Sequence, residues 1–212
     1  MSNKIQVESV SKQYGMAPPI IKSISYTFES GKISGLRGNN GSGKSTFLKL
    51  IACTLLPDSG EILYNELSIH RSPEQYLSKI GVVADWVDLP EYLSFDELII
   101  WKMERLNYSS HQIKEKTNEL KELFSFDERS QQLIGTYSSG MKKKTALSVA
   151  VCTNPDVLIL DEPFVALDVH TQGILAKFIV DLKKSGKIIL LASHDEDHEE
   201  ELFDIVIDFP MN

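Results

Sequence analysis

The 212-residue chain has few cysteines, no long apolar run and no excess of positive charge. Its longest uninterrupted apolar stretch, Ile188–Ala192, is five residues long, far short of the roughly 20 that a helix needs to cross a bilayer. The N-terminal segment has one lysine and no apolar stretch of signal-peptide length. We therefore expect a chain that is not exported and that does not span a membrane. Glycine and proline are at ordinary levels, which excludes collagen-like and low-complexity classes.

The two cysteines, Cys53 and Cys152, are far apart in the sequence and follow apolar or small residues. We expect reduced, buried thiols, as is usual in an intracellular chain. Cysteine and histidine nowhere cluster with the spacing of a zinc site.

The charge is unevenly distributed along the chain. There are 22 lysines and arginines against 30 acids, and residues 195–208 hold eight of those acids and no basic residue. The remainder carries 22 charges of each sign, so the chain lacks the basic footprint of a nucleic-acid-binding protein, and we expect no nucleic-acid partner. The acidic stretch predicts a solvated helix face, with a regulatory segment as the alternative.

The apolar pattern indicates an α/β fold. Residues 157–160 and Ile188–Ala192 are fully apolar strands, and helical patterns precede and separate them, which is typical of a parallel sheet covered on both faces. Residues 94–154 read as helical and form an insertion on one side of that core. Shorter strands are predicted at 6–9, 26–28, 32–36, 61–64, 80–84 and 205–209.

A phosphate-binding pattern, G-x-x-x-x-G-K-[ST], follows the predicted strand 32–36 and opens a predicted helix at 44–52. Glycines let the backbone approach phosphates closely, and the N–H groups of a helix N-terminus favour negative charge. Lys44 supplies a charge to the outer phosphates, and the Ser45 hydroxyl can bind Mg²⁺. The alternative is a glycine-rich turn that binds nothing. The predicted nucleotide-binding residues here are Gly38, Asn39, Asn40, Gly41, Ser42, Gly43, Lys44, Ser45 and Thr46.

A second motif complements this loop. The apolar strand 157–160 runs into Asp161 and Glu162, which it places at its carboxyl end, beside the phosphate-binding loop. Asp161 can hold Mg²⁺, and Glu162 can orient and deprotonate a water aimed at the terminal phosphate. Alone, these residues would equally suit a strand followed by a turn. With the loop, they predict a P-loop NTPase.

Three further stretches narrow the class: Tyr137-Ser138-Ser139-Gly140-Met141, Ala166-Leu167-Asp168 and Ser193-His194-Asp195. In order and spacing, over nearly the whole chain, the sequence resembles the nucleotide-binding subunits of ABC transporters. The resemblance implies a P-loop NTPase core with a mostly parallel sheet, an N-terminal antiparallel β subdomain and an inserted α-helical subdomain. It implies a single ATPase domain over residues 1–212, with the helical subdomain at about 85–155 and the rest in 1–84 and 156–212.

Residues 137–141 stand where the family carries its L-S-G-G-Q signature. Ser138 and Gly140 are retained, and the other three residues depart in a way associated with the export-type branch. In this family the signature of one subunit closes on the ATP held by the other, so the resemblance implies an ATP-dependent, head-to-tail homodimer. Taken alone, the stretch would read as a serine-rich helix cap.

The resemblance also assigns residues outside the two main motifs. Asp168 matches the loop that crosses between subunits, and His194 matches a histidine that contacts the terminal phosphate, which places it with Glu162 and Lys44 among the catalytic residues. Tyr14 matches the aromatic that stacks on adenine, with a half-buried strand-end tyrosine as the alternative.

One position is discordant. Where the family usually has glutamine after the strand matching 80–84, this chain has Asp85, which can approach the metal with Ser45 and Asp161 but is shorter and charged. The following residues, 86–95, are rich in apolar side chains. They either pack against the helical insertion or form a groove for a short helix of a membrane subunit. Trp101 is predicted to lie in the core.

The motifs and the resemblance together imply an ATP-binding and ATP-hydrolysing subunit that uses Mg²⁺ and drives a separate transmembrane permease. We expect it in the cytoplasm, peripheral on the cytoplasmic face of the membrane through that partner. Two features favour export. The signature departs from L-S-G-G-Q, and we expect no added regulatory domain because the chain ends soon after its last strand. The alternative is a soluble ABC-type ATPase of a non-transport assembly complex.

Overall fold

The computed structural model describes residues 3–126, 128–193 and 200–210, arranged as two sheets and a set of helices. The strands are β1 Lys4–Lys12, β2 Ile21–Glu29, β3 Lys32–Arg37, β4 Ser59–Tyr64, β5 Leu67–Ser68, β6 Ile80–Val83, β7 Val157–Asp161, β8 Ile188–Ala192 and β9 Ile205–Asp208. The α-helices are α1 Lys44–Ile51, α2 Pro73–Leu77, α3 Phe95–Glu104, α4 Ser110–Leu123, α5 Ser139–Val151 and α6 Val169–Lys184. Short 3₁₀ helices lie at Glu128–Gln131, Ile134–Thr136 and Glu200–Leu202.

The larger sheet is parallel and has the order β6-β7-β8-β3-β9. Every residue of β7 and β8 is buried, which is why both strands are apolar without alternation. Their register pairs Leu160 with Leu191 and Asp161 with Ala192, so the carboxyl ends of the two strands lie side by side. The predicted parallel core is confirmed.

The smaller sheet is antiparallel, with the order β2-β1-β4-β5. Alternate residues of β1 point inward, among them the buried Ile5 and Val7, as expected of a sheet with one covered face. They belong to the same apolar core as Phe47 of α1 and Ile159 of β7, so the two sheets enclose α1 between them. The expected antiparallel β unit is thus present.

Helices α3, α4 and α5 lie between β6 and β7 in the sequence, where the apolar pattern predicted a helical insertion. Capping boxes begin α3 at Ser94 and α4 at Ser109, where each serine exchanges hydrogen bonds with the residue three positions on. The predicted apolar face of α4 is largely buried, with Ile113 and Leu120 in the core. The prediction for Trp101 is wrong, because its side chain on α3 is 53% exposed.

The cysteines are partly as predicted, and residues 195–199 of the acidic stretch lie outside the described part of the chain. Both thiols are free, but only Cys152 is buried; Cys53 is half-buried, and burial raises its pKa to about 11. In the acidic stretch, Asp204 accepts a hydrogen bond from the Ile33 amide and pairs with Lys183. A solvated helix face is therefore the wrong description of its last residues, which form β9. None of the helices in the described part of the chain has the length and apolarity needed to cross a bilayer.

Gly81 of β6 lies directly beneath α5, and replacing it with alanine should destabilise the fold. A Cβ atom there would lie 2.1 Å from the Ala150 carbonyl oxygen, a backbone atom that cannot move alone. Overpacking of this kind costs about 1–3 kcal/mol of unfolding free energy. Gly173→Ala in α6 is the matched control: nothing lies within 4 Å of its Cβ position, and alanine in a helix should add about 0.5–1 kcal/mol. Urea unfolding of both variants would reveal opposite signs; equal stabilities would contradict the packing argument.

Candidate functional site

The loop of residues 38–43 connects β3 to the N-terminus of α1. Gly38 has a φ of 150°, and a Cβ atom there would lie 2.5 Å from the Phe209 carbonyl oxygen and 2.8 Å from Ser42 Oγ. Only glycine fits this position. The loop therefore turns tightly into the N-terminus of α1, where the first-turn N–H groups of a helix favour an anion.

Lys44 is the first residue of α1, and its ammonium is enclosed by the loop. Nζ donates to the carbonyl oxygens of Gly38, at 2.5 Å, and Asn39, at 3.3 Å. Burial lowers the pKa of Lys44, while the carboxylates of Glu162 and Asp161 act in the opposite direction. The charge of the lysine is thus held against the loop, where it also interacts electrostatically with both acids.

Ser45 and Asp161, which are distant in the sequence, lie in contact. Ser45 Oγ donates a hydrogen bond of 2.9 Å to Asp161 Oδ2, at the carboxyl end of β7. A hydroxyl and a carboxylate oxygen are the hard ligands that Mg²⁺ prefers, together with phosphate oxygens of a substrate. In the described residues no cluster of three or more His, Cys, Asp or Glu side chains could hold a metal alone. A magnesium ion here would complete its shell with phosphate oxygens of a substrate and with waters.

Glu162 adopts an unusual backbone conformation. Its φ is 50°, in the left-handed region that is strained for residues other than glycine and is kept only where the surroundings enforce it. Its N–H donates to the Ala192 carbonyl oxygen, at 2.9 Å, and its own carbonyl accepts from Lys143 Nζ, at 3.2 Å. These contacts orient the side chain at the end of β7, beside Asp161.

One cavity of about 460 Å³ unites these groups, a volume typical of a small-molecule site. Buried Ser42 Oγ and Trp86 Nε1, both from lining residues, have no hydrogen-bond partner within the described part of the chain, which suits a site for a polar ligand. The lining residues are Ile20, Asn39, Asn40, Gly41, Ser42, Gly43, Lys44, Ser45, Thr46, Lys49, Asp85, Trp86, Asp161 and Glu162.

Three lining residues, Ile20, Lys49 and Trp86, were not predicted as parts of the nucleotide site. Lys49 Nζ lies 5.0 Å from the centre of the Trp86 ring, a cation–π contact at the cavity wall. Lys49 lies four residues after Ser45, so helical spacing could have placed it on the same face of α1. Trp86 directly follows Asp85, but the sequence showed it only as part of an apolar stretch.

Asp85 lines the cavity, but its side chain points largely into solvent and does not join Asp161 and Glu162. Its side chain is 90% exposed, and Oδ1 lies 3.5 Å from Lys143 Nζ. Tyr14 is half exposed, and its hydroxyl lies 3.5 Å from Thr46 Oγ1, so the ring stands next to the first turn of α1. The protein itself therefore brings Ser45 and Asp161 together, with Asp85 and Tyr14 farther out.

Other predicted site residues lie away from this cavity. Ser138 caps α5 by accepting a hydrogen bond from the Met141 amide, and Asp168 caps α6 by accepting one from the Thr171 amide. Neither these two nor Gly140 is among the described residues that line the cavity. His194 lies outside the residues that the structure describes.

Comparison with known proteins agrees with this architecture. A family model described as ABC transporter matches residues 21–165. The ABC transporter ATP-binding protein NatA of Bacillus subtilis (strain 168) is 30% identical over 188 residues, which cover 88% of this chain and 76% of NatA. A solved structure described as the ATP-binding subunit of an ABC transporter superposes with a TM-score of 0.90 at 26% identity, over 97% of this chain and 85% of that one.

Relatives named for both directions of transport match the chain. The Nod factor export ATP-binding protein I of Rhizobium meliloti (strain 1021) is 31% identical over 94% of this chain. The sulfate/thiosulfate import ATP-binding protein CysA of Synechococcus elongatus is 31% identical over 96% of it. The chain spans 59% of the length of each of these two proteins.

Replacing Lys44 with alanine should weaken nucleotide binding itself. The change removes the charge at the centre of the loop, and a charge-assisted hydrogen bond contributes about 1.5–3 kcal/mol, equivalent to roughly a tenfold to hundredfold rise in Kd. Lys32→Ala is the control, because Lys32 begins β3 at the opposite end of the strand and pairs with Glu29 at the surface. Titration with a fluorescent ATP analogue measures both. Equal affinities for the two variants would show that Lys44 does not contact the ligand.

Proposed function

Because the chain belongs to the ABC transporter family of ATPases, we propose that it is the subunit that hydrolyses MgATP to drive a separate membrane-spanning partner. The observation that carries this proposal is the meeting of the phosphate-binding loop, the Ser45–Asp161 pair and Glu162 in one cavity. A loop alone would bind a phosphate. The acids at the end of β7 add the groups that a phosphoryl-transfer reaction needs.

Each residue of the cavity has a distinct part in the proposed reaction. The loop amides and Lys44 bind the β- and γ-phosphates. Ser45 and Asp161 would hold Mg²⁺, which would supply positive charge to neutralise the phosphates. Glu162 orients the attacking water and accepts its proton, a contribution of about 10²- to 10⁴-fold for a positioned general base. In the same proposal Tyr14 stacks on the adenine ring of ATP, and His194 contacts the terminal phosphate.

We further propose that the working form is a head-to-tail dimer. Ser138, Gly140 and Asp168 do not line the chain's own cavity, yet the helix N-termini at Ser138 and Asp168 suit contact with a phosphate or with a second subunit. On either side of Asp168, Val165 and Val169 are exposed, Val169 at 84%. In a dimer of this kind, the partner subunit would cover these two side chains.

The membrane partner would dock beside residues 83–91. A cavity of about 430 Å³ lies between this segment and α5, and its wall includes Val87, Leu89 and Ile134. Tyr92, just beyond, is exposed. The wall combines these apolar side chains with charged ones such as Asp88 and Lys142, a mixture that suits an amphipathic helix, and such a contact would hold the ATPase on the cytoplasmic face of the membrane. The departures at 137–141 favour export, although relatives with both export and import in their names match equally well.

Glu162→Gln should abolish turnover and preserve nucleotide binding. Glutamine keeps the shape and the hydrogen-bonding reach of the side chain but cannot accept the proton of the water. We expect phosphate release to fall at least about a hundredfold. Light scattering with ATP and Mg²⁺ should then detect a trapped dimer. Glu74→Gln, on the exposed start of α2, is the control with unchanged turnover. Hydrolysis by Glu162→Gln at the native rate would show that Glu162 is not the base.

Purification from detergent-solubilised membranes of the native cell tests the transporter assignment. A multi-span membrane protein at a stoichiometric ratio is the expected companion, and it would lead to the transported substrate. The association should weaken when Val87 or Leu89 is replaced by aspartate, because a charge would enter the apolar wall. Recovery from the cytosolic fraction with soluble partners alone would instead support an assembly ATPase.

A further inference from the structure

Lys143 lies where three parts of the fold meet. It belongs to α5, while Asp85 follows β6 and Glu162 follows β7. Its ammonium donates to the Glu162 carbonyl oxygen, at 3.2 Å, and lies 3.5 Å from Asp85 Oδ1. The side chain is only 12% exposed, so the charge is held in a largely buried setting by these two acceptors.

The contact with Glu162 has a mechanical consequence. Glu162 has a φ of 50° and precedes Pro163, a position at which the helical backbone is already disfavoured. The peptide on its N-terminal side is fixed by the bond to the Ala192 carbonyl, and the peptide on its C-terminal side by Lys143. Together the two bonds fix both peptide planes at the Glu162 Cα, and hence the direction in which its side chain leaves the backbone.

Asp85 is the second group that contacts the Lys143 ammonium. An ion pair with so exposed an acid contributes little stability by itself. Its carboxylate does, however, define where the long, flexible lysine side chain places its charge. Asp85 therefore supplies Lys143 with a counter-ion.

We propose that Lys143 is a positioning residue for ATP hydrolysis: it holds the Glu162 backbone so that the carboxylate faces the attacking water, and Asp85 steers it. This inference rests on the proposed role of Glu162. It also connects two halves of the proposed dimer site, because α5 carries Ser138 at its N-terminus. A shift of α5 moves the donor that holds Glu162.

The chain contains a close structural match for Lys143 that is remote from the cavity. Lys187 is also 12% exposed, donates to the Asn154 carbonyl oxygen at 3.2 Å, and lies 3.8 Å from Asp156. Asn154 has the same φ of 50° as Glu162, but it precedes β7 whereas Glu162 follows it. Lys187 therefore makes the same kind of contact at the opposite end of the strand and is the control for lost packing and stability.

The test compares Lys143→Met with Lys187→Met in the full chain, by kcat, KM for ATP, nucleotide Kd and Tm. We expect both variants to lose a similar amount of Tm. Only Lys143→Met should lose kcat, by about tenfold or more, since a misplacement of about 1 Å can cost a hundredfold in rate. Its nucleotide Kd should stay within about twofold of the native value. Lys143→Arg keeps a donor and a charge and should restore most of kcat.

Several outcomes would overturn the inference. A kcat of Lys143→Met within twofold of the native value would do so, as would an equal loss in Lys187→Met or a parallel loss of nucleotide affinity. If Lys143→Met does not fold, Lys143→Gln takes its place, because glutamine removes the charge but keeps a polar side chain, and it should lower kcat in the same way. A native chain that never hydrolyses ATP would overturn the proposed function itself, which distinguishes the two failures.

Discussion

The hydrogen bond between Ser45 and Asp161 joins the two elements on which the site depends, the helix after the phosphate-binding loop and the end of a buried strand. It exists only because β7 lies next to β8, and β8 next to β3, in a parallel sheet whose carboxyl ends share one edge. A register shift of a single residue would turn Asp161 away and bring an apolar side chain to the cavity. The buried apolar runs of β7 and β8 fix that register, so core packing and chemistry have a common origin.

The parts of this arrangement that the sequence predicted are those that local rules govern. The glycine spacing from Gly38 to Gly43 follows from backbone sterics and close approach, and the runs in β7 and β8 follow from burial on both faces. The acids at 161 and 162 follow from the place where a parallel strand ends. In each case a few neighbouring residues determine the conformation. The order of the motifs along the chain was therefore enough to predict the parallel core and the acids at the end of β7.

The parts that were missed depend on contacts between distant segments. Trp101 looked like a core residue by composition, but α3 turns it outward because other residues, such as Phe95 and Ile99, occupy the buried face. Lys143 is one of three consecutive lysines, and no local feature distinguishes it from its neighbours. Only the packing of α5 over β6 gives it a carbonyl at the end of β7 and a carboxylate after β6. Sequence reasoning locates the reactive groups more easily than the groups that orient them.

This division also bears on how a chain of this kind could control its own reaction. Lys44, Ser45 and Asp161 are held by the sheet and α1, which are rigid and buried, so the ability to bind phosphate is built into the core. Glu162 is different, because its strained backbone is held by one bond from β8 and one from α5. The α5 contact comes from the helical insertion, whose N-terminal cap at Ser138 is not among the described residues that line the cavity. The hydrogen bonds that hold Lys44 and the Ser45–Asp161 pair come from the loop and from β7, whereas the orientation of the proposed base also depends on a bond from α5. A partner that moves α5 would therefore change the rate of hydrolysis before it changed the affinity for nucleotide.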